Sequence, residues 1–257
     1  MKGRVGNYMA VRLKGRNKYK MYRAMRKNKN LRSSLPETRM FNSKNFQHMI
    51  KKYKTVVIKP NNGKQGKRIY FVTNRNGKYY VHLNKKYKVF SSRHSTYRYI
   101  RKASKKKRFI IQQEINLAKI KRRRFDFRII VQRKSRKDPW VVNGVIVRQA
   151  GRGFKVTNRK NNGRALSVDK ALPQINLKNK SEKMMEVKRV SLKAAKTLGT
   201  SFPGQRIFGV DIGMDPTGKL YIFELNRWPL LGGFRSLKDK TQYKQIMYFK
   251  RVSRKKK

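Results

Sequence analysis

The chain has 257 residues, enough for one large domain or two closely packed lobes, with 71 lysines and arginines against 11 aspartates and glutamates and a formal charge of +60. It has no cysteine, which excludes disulfides, thiolate metal sites and a cysteine nucleophile, and His48, His82 and His94 are too isolated in sequence to suggest a zinc site. A charge this large calls for a polyanionic partner, either nucleic acid or an acidic cell-envelope polymer. Hydrophobic residues make up 37% of the chain and cluster in strand-like runs such as TVVIKP, RIIVQ and WVVNGVIV, so global disorder is not expected. No run has the length of a membrane span and no signal-peptide core follows Met1, so the expectation is a soluble, cytoplasmic protein.

The first thirty residues are basic. Tyr19, Tyr22 and Met25, spaced three apart, predict a helix over about Lys18 to Lys27. After the extended stretch around Pro36, Phe46, Met49 and Ile50 share one face of a predicted helix over Ser43 to Tyr53. A β-branched strand from Thr55 to Ile58 then meets Lys59-Pro60, a loop with Gly63 and Gly66, and a second strand from Ile69 to Thr73. A strand, a lysine, a glycine loop and a strand can fold backbone N–H groups over a polyphosphate while an ammonium holds it. A lysine at a strand end is also common surface decoration in a chain this basic. Asn76-Gly77 signals a type I′ hairpin into KYYVHLN, and a third short strand follows near Tyr87 to Phe90. A helix near Ser95 to Ser104 leads to the apolar strand RFIIQQEI.

In KIKRRRFDFRIIVQ, alternation puts Asp126 and Arg128 on one face and Phe125 and Phe127 on the other. The polar pair suits either a structural ion pair or phosphate oxygens, which the planar arginine fork fits. Beyond Asp138-Pro139, Arg148, Arg152 and Asn158 suit an anionic substrate or simply extend the basic surface. Asn179 or Ser181 is positioned to cap a helix that buries Met184, Val187, Ser191, Ala194, Ala195 and Leu198 and stops at Gly199. The tail ending RVSRKKK reads as a solvated basic extension.

The stretch IFGVDIGMDPTGKLYIFELNRWP concentrates the chemistry. Two apolar runs flank the turn signal Asp215-Pro216-Thr217-Gly218, so Asp211 should face Glu224, with Asn226 on the same face as Glu224. The acids either pair with nearby bases or hold a dication. Three of the eleven acids, Asp211, Asp215 and Glu224, lie within fourteen residues, which favours Mg²⁺ or Mn²⁺ on an all-oxygen set.

This hairpin resembles the metal-binding strands of ATP-grasp ligases, and the chain from about Leu31 to Phe234 resembles the YheC/YheD branch, described as spore coat-associated in endospore-forming bacteria. The resemblance implies an α+β ATP-grasp fold, two lobes of antiparallel sheets and helices with ATP between them. The implied parts are a basic extension over 1–40, an N-terminal lobe over 41–111, a C-terminal lobe over 112–237 and a basic tail over 238–257. VVIKPNNGKQGKRI resembles the family's lysine strand and phosphate-covering loop, which implies ATP contacts for Lys59, Gly63 and Gly66. IIQQEI matches the hinge, giving Gln112, Gln113 and Ile115 to the adenine. FDFRIIV matches a phosphate strand, giving Asp126 and Arg128. The resemblance favours Arg148 and Asn158 over Arg152 as substrate residues, and implies a magnesium ion on Asp211, Glu224 and Asn226.

LLGGFRSL resembles the loop that closes the family's site, with Trp228 beside it narrowing an acceptor pocket. The implied reaction converts a carboxylate to an acyl phosphate with ATP, followed by attack of an amine or related nucleophile. Lys59 and Arg128 would neutralise charge on the departing ADP. A non-catalytic, polyanion-binding spore protein that keeps the fold is the competing reading. A nucleic-acid-binding module lacks a recognisable reading helix or aromatic platform.

Overall fold

The structure is a computed structural model that describes residues 12–63, 66–105 and 107–255. Residues 1–11 of the expected basic extension lie outside the described residues. Helix α1 (Lys18–Lys27) begins where the Asn17 side chain accepts a hydrogen bond from the Lys20 N–H, and it buries Met21, Tyr22 and Met25. A 3₁₀ turn over Lys29–Ser34 leads to strand β1 (Thr38–Met40), and α2 (Ser43–Tyr53) is capped in the same way by Asn42. Then come β2 (Thr55–Pro60), β3 (Tyr70–Arg75), β4 (Lys78–Leu83), β5 (Lys86–Phe90), α3 (Arg93–Ala103) and β6 (Phe109–Gln113).

These six strands form one antiparallel sheet in the order β1-β6-β2-β3-β4-β5. The β3–β4 turn is the Asn76-Gly77 hairpin, with positive φ at both residues, as its sequence requires. The helices cover one face of the sheet: Phe46, Met49 and Ile50 of α2 and Ile100 of α3 pack on Val56, Ile58, Val72 and Ile111.

The rest of the chain builds a second antiparallel sheet. Its strands are β7 (Lys119–Ile120), β8 (Arg123–Gln132), β9 (Val141–Gln149), β10 (Arg164–Ser167), β11 (Ile207–Met214) and β12 (Leu220–Asn226), in the order β10-β9-β8-β11-β12 with β7 on β8. Between β10 and β11 lie the short α4 (Val168–Ala171) and the 22-residue α5 (Lys180–Ser201). After β12 come a single turn, α6 (Gly232–Arg235), and α7 (Thr241–Lys255). Phe125, Phe127, Ile129 and Val131 face the main core with Val187, Ala194 and Leu198 of α5. On the other face Ile130 and Ile146 pack against Phe234 and Ile246. Being covered on both faces is why β8 reads as a continuous apolar run near its end.

Several expectations change. Residues 1–40 are not a separate extension where the structure describes them. Met21, Tyr22, Met25, Leu31 and Leu35 belong to the second sheet's core, and the TRM segment is an edge strand of the first sheet. The boundary placed at 111 falls inside β6, which stays paired with β2 as far as Gln113. As far as Lys255 the tail is a helix rather than a solvated extension, because α7 buries Ile246 completely and Phe249 nearly so, and residues 256–257 lie outside the described residues. Helix α5 does not stop at Gly199 but runs through it to Ser201. That glycine is a packing device, since a Cβ there would lie 3.0 Å from the Trp140 indole nitrogen.

Candidate functional site

The strand register brings the polar side chains of the second sheet together. Asp126 on β8 lies opposite Arg148 on β9, Arg128 opposite Asp211 on β11, and Asp211 opposite Glu224 on β12. Between Asp211 and Ile212 the register slips, so Phe223 stands as an extra residue on β12. On the cleft side a Cβ at Gly213 would strike the Phe223 ring at 2.4 Å and Leu117 at 2.6 Å, so this glycine lets the ring lie flat on β11.

Buried charges here are paired rather than solvated. Arg148 grips Asp126 with Nε and Nη2, both at 2.7 Å, and its Nη2 also reaches Asp211 Oδ2 at 3.1 Å. Arg128 closes a second fork on Asp211, with Nη2 donating to Oδ2 at 2.9 Å. Thr157 Oγ1 donates to Asp126 Oδ2 at 2.7 Å. Burial pushes the Asp211 carboxyl up, but Arg128 and Arg148 outweigh it and hold the group below the usual carboxylate range. Asp126 has one arginine and the negative Asp211 nearby, so burial prevails and pushes it up. Arg148 is pushed the other way by burial, but the two aspartates raise it and keep it charged.

The first sheet contributes Lys59, which is buried, with its Nζ donating to Gln112 Oε1 at 2.9 Å and lying 3.5 Å from the carbonyl freed at the Phe223 bulge. Gln112 in turn donates to Thr38 Oγ1 at 2.8 Å. Burial lowers the Lys59 amine to about 8, against the pull of Glu224 and Asp211 and with help from the charge of Lys18. Lys18 is a residue that sequence reading missed. Its Nζ lies 2.9 Å from Glu224 Oε1 and donates to the Gly63 carbonyl at 2.9 Å. Nothing distinguishes it in a sequence where 71 residues are basic.

Other predicted residues are placed as follows. Gly66 approaches the second sheet's loop so closely that a Cβ would come within 2.9 Å of Asn158 Nδ2. Gln113 ends β6, and Ile115 is buried just beyond it. Glu114, between them, pairs with Arg124 at 2.8 Å, and the guanidinium of Arg124 lies over the Phe71 ring. Asn226 lies opposite Gly209, beyond Glu224 on the same strand. Arg152 is exposed after β9 and takes no part in the buried network. Arg148 is committed to two aspartates rather than standing open to an anion.

Asp215, counted with the metal-type acids, instead organises the hairpin turn. Its Oδ1 accepts from the Thr217 N–H, the Thr217 hydroxyl and the Lys219 N–H, and its Oδ2 accepts from Tyr221. Trp228 is half-exposed and sandwiched between Arg16 and Arg227, while Phe234 anchors the segment after it in the core.

Among the described residues no three acids or histidines gather closely enough to chelate a metal by themselves. Asp211, Glu224 and the Asn226 amide do supply hard oxygen donors along adjoining strands, a chemistry that suits a dication sharing its shell with phosphate oxygens. Asp211 receives three N–H bonds and a carboxylate has about four lone-pair sites, so one acceptor direction remains.

Two antiparallel sheets facing each other across a lysine and a carboxylate hairpin define an ATP-grasp fold. The same fold is found in D-alanine–D-alanine ligase from Bacillus anthracis, at a TM-score of 0.55 and 14% identity over 94% of this chain and 70% of that one. It is also found in an L-amino acid ligase from Bacillus licheniformis, at 0.54 and 15% over 92% and 47%. The chain belongs to the YheC/D-like ATP-grasp family, whose model matches residues 10–250. It is 28% identical over 225 residues to the endospore coat-associated protein YheD of Bacillus subtilis (strain 168), covering 83% of this chain and 48% of that protein. It therefore spans about half the length of that relative. No helix among the described residues is long and apolar enough to cross a membrane.

Proposed function

We propose that the protein is an ATP-dependent ligase that joins a carboxylate to an amine or related nucleophile through an acyl phosphate. One observation carries this reading: the Asp126–Arg148–Asp211–Arg128 network, Glu224 and Lys59 come together where the two sheets face each other. In this reading the sheets are the two lobes and ATP lies between them. Gln112, Gln113 and Ile115 meet the adenine, and the loop with Gly63 and Gly66 covers the phosphates. Asp211, Glu224 and Asn226 would hold Mg²⁺ or Mn²⁺, which when bound supplies charge compensation between phosphate oxygens.

A substrate carboxylate oxygen attacks the terminal phosphorus and ADP leaves. The nucleophile then attacks the acyl carbon and phosphate leaves. Lys59 and Arg128 lie where charge passes to ADP, and their positions are fixed before reaction, so little reorganisation is needed. Asn158, beside the loop, orients the acceptor end, while Arg148 holds Asp126 and Asp211 in place. The coat-associated relative supports a place of work at the spore coat.

ATP with Mg²⁺ should raise the melting temperature by mass action, and ADP should be released in the presence of pooled amino acids, peptides and spore extract. A folded protein whose melting temperature is unmoved by millimolar ATP would argue decisively against the assignment.

The +60 charge favours a second role beside this one, because only a few cations can reach a single nucleotide. We propose that the remaining surface binds a polyanion, either nucleic acid or an acidic spore polymer, without sequence preference. Binding to labelled DNA and to polyglutamate should weaken steeply with salt, through counterion release. Salt-insensitive binding, or strong discrimination among DNA sequences, would contradict this.

A further inference from the structure

Helix α1 reaches the cleft from outside both sheets. Its apolar face is fixed in the second sheet's core, while its first turn is tied to the loop after β2. The Lys18 N–H donates to the Asn61 carbonyl at 3.1 Å and the Tyr19 N–H to Asn61 Oδ1 at 2.9 Å. The Lys18 side chain continues the clasp, bonding Gly63 on the loop and Glu224 on β12, and it is only 10% exposed. One lysine thus joins the two walls of the cleft at the level of Glu224.

Its position along the cleft is defined by β12. The connection after β6 is tied to the far end of this hairpin, where the Ala118 N–H donates to the Met214 carbonyl, and Met214 pairs with Leu220 at the start of β12. Moving along β12 away from that connection, Lys59 lies by Phe223, Lys18 by Glu224, and Asn226 beyond. Lys18 therefore meets β12 one residue farther from that connection than Lys59 does, which on the ATP reading is the side away from the adenine.

An ammonium has three N–H donors, and Lys18 uses two, on the Gly63 carbonyl and Glu224. The buried ammonium of Lys59 and the Glu224-paired ammonium of Lys18 stand near each other here, and a polyphosphate would bridge them.

We propose that Lys18 is a further nucleotide-binding residue, delivered by α1, that holds the terminal phosphate of ATP between the covering loop and Glu224. This rests on the reading of the cleft as an ATP site.

The test is calorimetric titration of ATP and of AMP at fixed ionic strength in EDTA, so that metal takes no part. The proteins compared are the full chain and its Lys18→Met, Lys20→Met and Lys59→Met variants. Lys18→Met should weaken ATP by about tenfold or more, the usual effect of losing a charged hydrogen bond. It should leave AMP unchanged. Lys20→Met, an exposed lysine of the same helix, removes the same net charge and should bind ATP as the parent does. If Lys18→Met is too unstable to titrate, Lys18→Gln keeps a donor for the Gly63 carbonyl and should show the same selective loss.

Unchanged ATP affinity in the Lys18 variants, with Lys59→Met impaired, would overturn the proposal and leave the ATP reading standing. Equal losses for ATP and AMP would also overturn it, since that marks a loosened cleft rather than a phosphate contact. If the parent chain binds neither nucleotide in EDTA and ATP with Mg²⁺ leaves its melting temperature unmoved, the ATP reading fails and the proposal with it.

Discussion

Glu37, just before β1, and Asp211, in the middle of β11, are both acids surrounded by bases, but their partners are held differently. Glu37 accepts from Arg39, Lys52 and Tyr53 at 2.7, 2.9 and 2.6 Å, and two of these partners come from the exposed end of α2. Lys52 is 53% exposed. Asp211 meets Arg128 and Arg148, which strand pairing sets on neighbouring strands and whose side chains, like its own, are less than a fifth exposed. The first cluster stitches a short edge strand to a helix with side chains that water can replace. The second is held in place because its backbone positions are set by strand register and its side chains are cross-linked by two arginine forks. In a chain with so few acids, the buried and register-fixed cluster marks the site, whereas proximity of acid to base does not.

Removing the fixed acid should have the largest effect. Asp211→Ala leaves two buried guanidinium groups without their shared carboxylate, a change that costs about 3–5 kcal/mol when a buried pair is broken. Urea unfolding should show this as a lowered midpoint. A loss below about 1 kcal/mol, the range of solvated ion pairs, would mean that the arginines reach water freely and that the cluster is no more organised than the one at Glu37.

Glu224→Gln should cost less, about 1 kcal/mol, because its partner is a single lysine and its side chain is 23% exposed. Its functional consequence should be larger than its structural one. ATP should bind more tightly with Mg²⁺ than without it in the parent and equally in both conditions in the variant. A variant that kept the full magnesium effect would remove Glu224 from the metal set.

What could be read from the sequence was local. The bounds of α1 and α2 follow from apolar spacing and the β3–β4 turn from Asn76-Gly77. Asp211 does face Glu224, but through the extra residue Phe223 rather than a turn centred on Thr217 and Gly218, since Met214 pairs with Leu220. The two faces of β8 follow from alternation, since Phe125 and Phe127 are fully buried in the core behind Asp126 and Arg128. What could not be read depends on distant partners. The commitment of Arg148 to Asp211 and the reach of Lys18 to Glu224 join residues far apart in the chain. Gly199 resembles a helix stop until Trp140 is seen against it. The buried stripe of α7 is diluted by surrounding lysines and arginines, which made its segment look like a solvated tail. Asp215 was legible as the first residue of the Asp-Pro-Thr-Gly turn, which its side chain organises, although its nearness to Asp211 and Glu224 also made it count toward a metal site.

The smallest effect should come from Glu37→Gln, and its pH dependence sharpens the contrast. Burial raises the Glu37 carboxyl, but the bonds from Tyr53, Lys52 and Arg39 outweigh it and lower the group from 4.5 to about 2. A carboxyl lowered on folding contributes its full stability above its unfolded value and loses that contribution as the pH falls towards its folded value. Glu37 should therefore contribute fully above about pH 4.5 and lose that contribution as the pH falls from there through about 2, with solvent screening holding it to about 1 kcal/mol. The parent and Glu37→Gln should differ slightly but constantly in melting temperature near neutrality and converge as the pH falls below 4.5. Asp215 and Asp239, whose carboxyls are also held low, are present in both proteins and cancel in the difference. Added salt should shrink the gap as well, because Lys52 lies in solvent. A gap that persists unchanged into acid and high salt would show that Glu37 is held as rigidly as Asp211, and would remove the distinction between a stitched edge and a preorganised site.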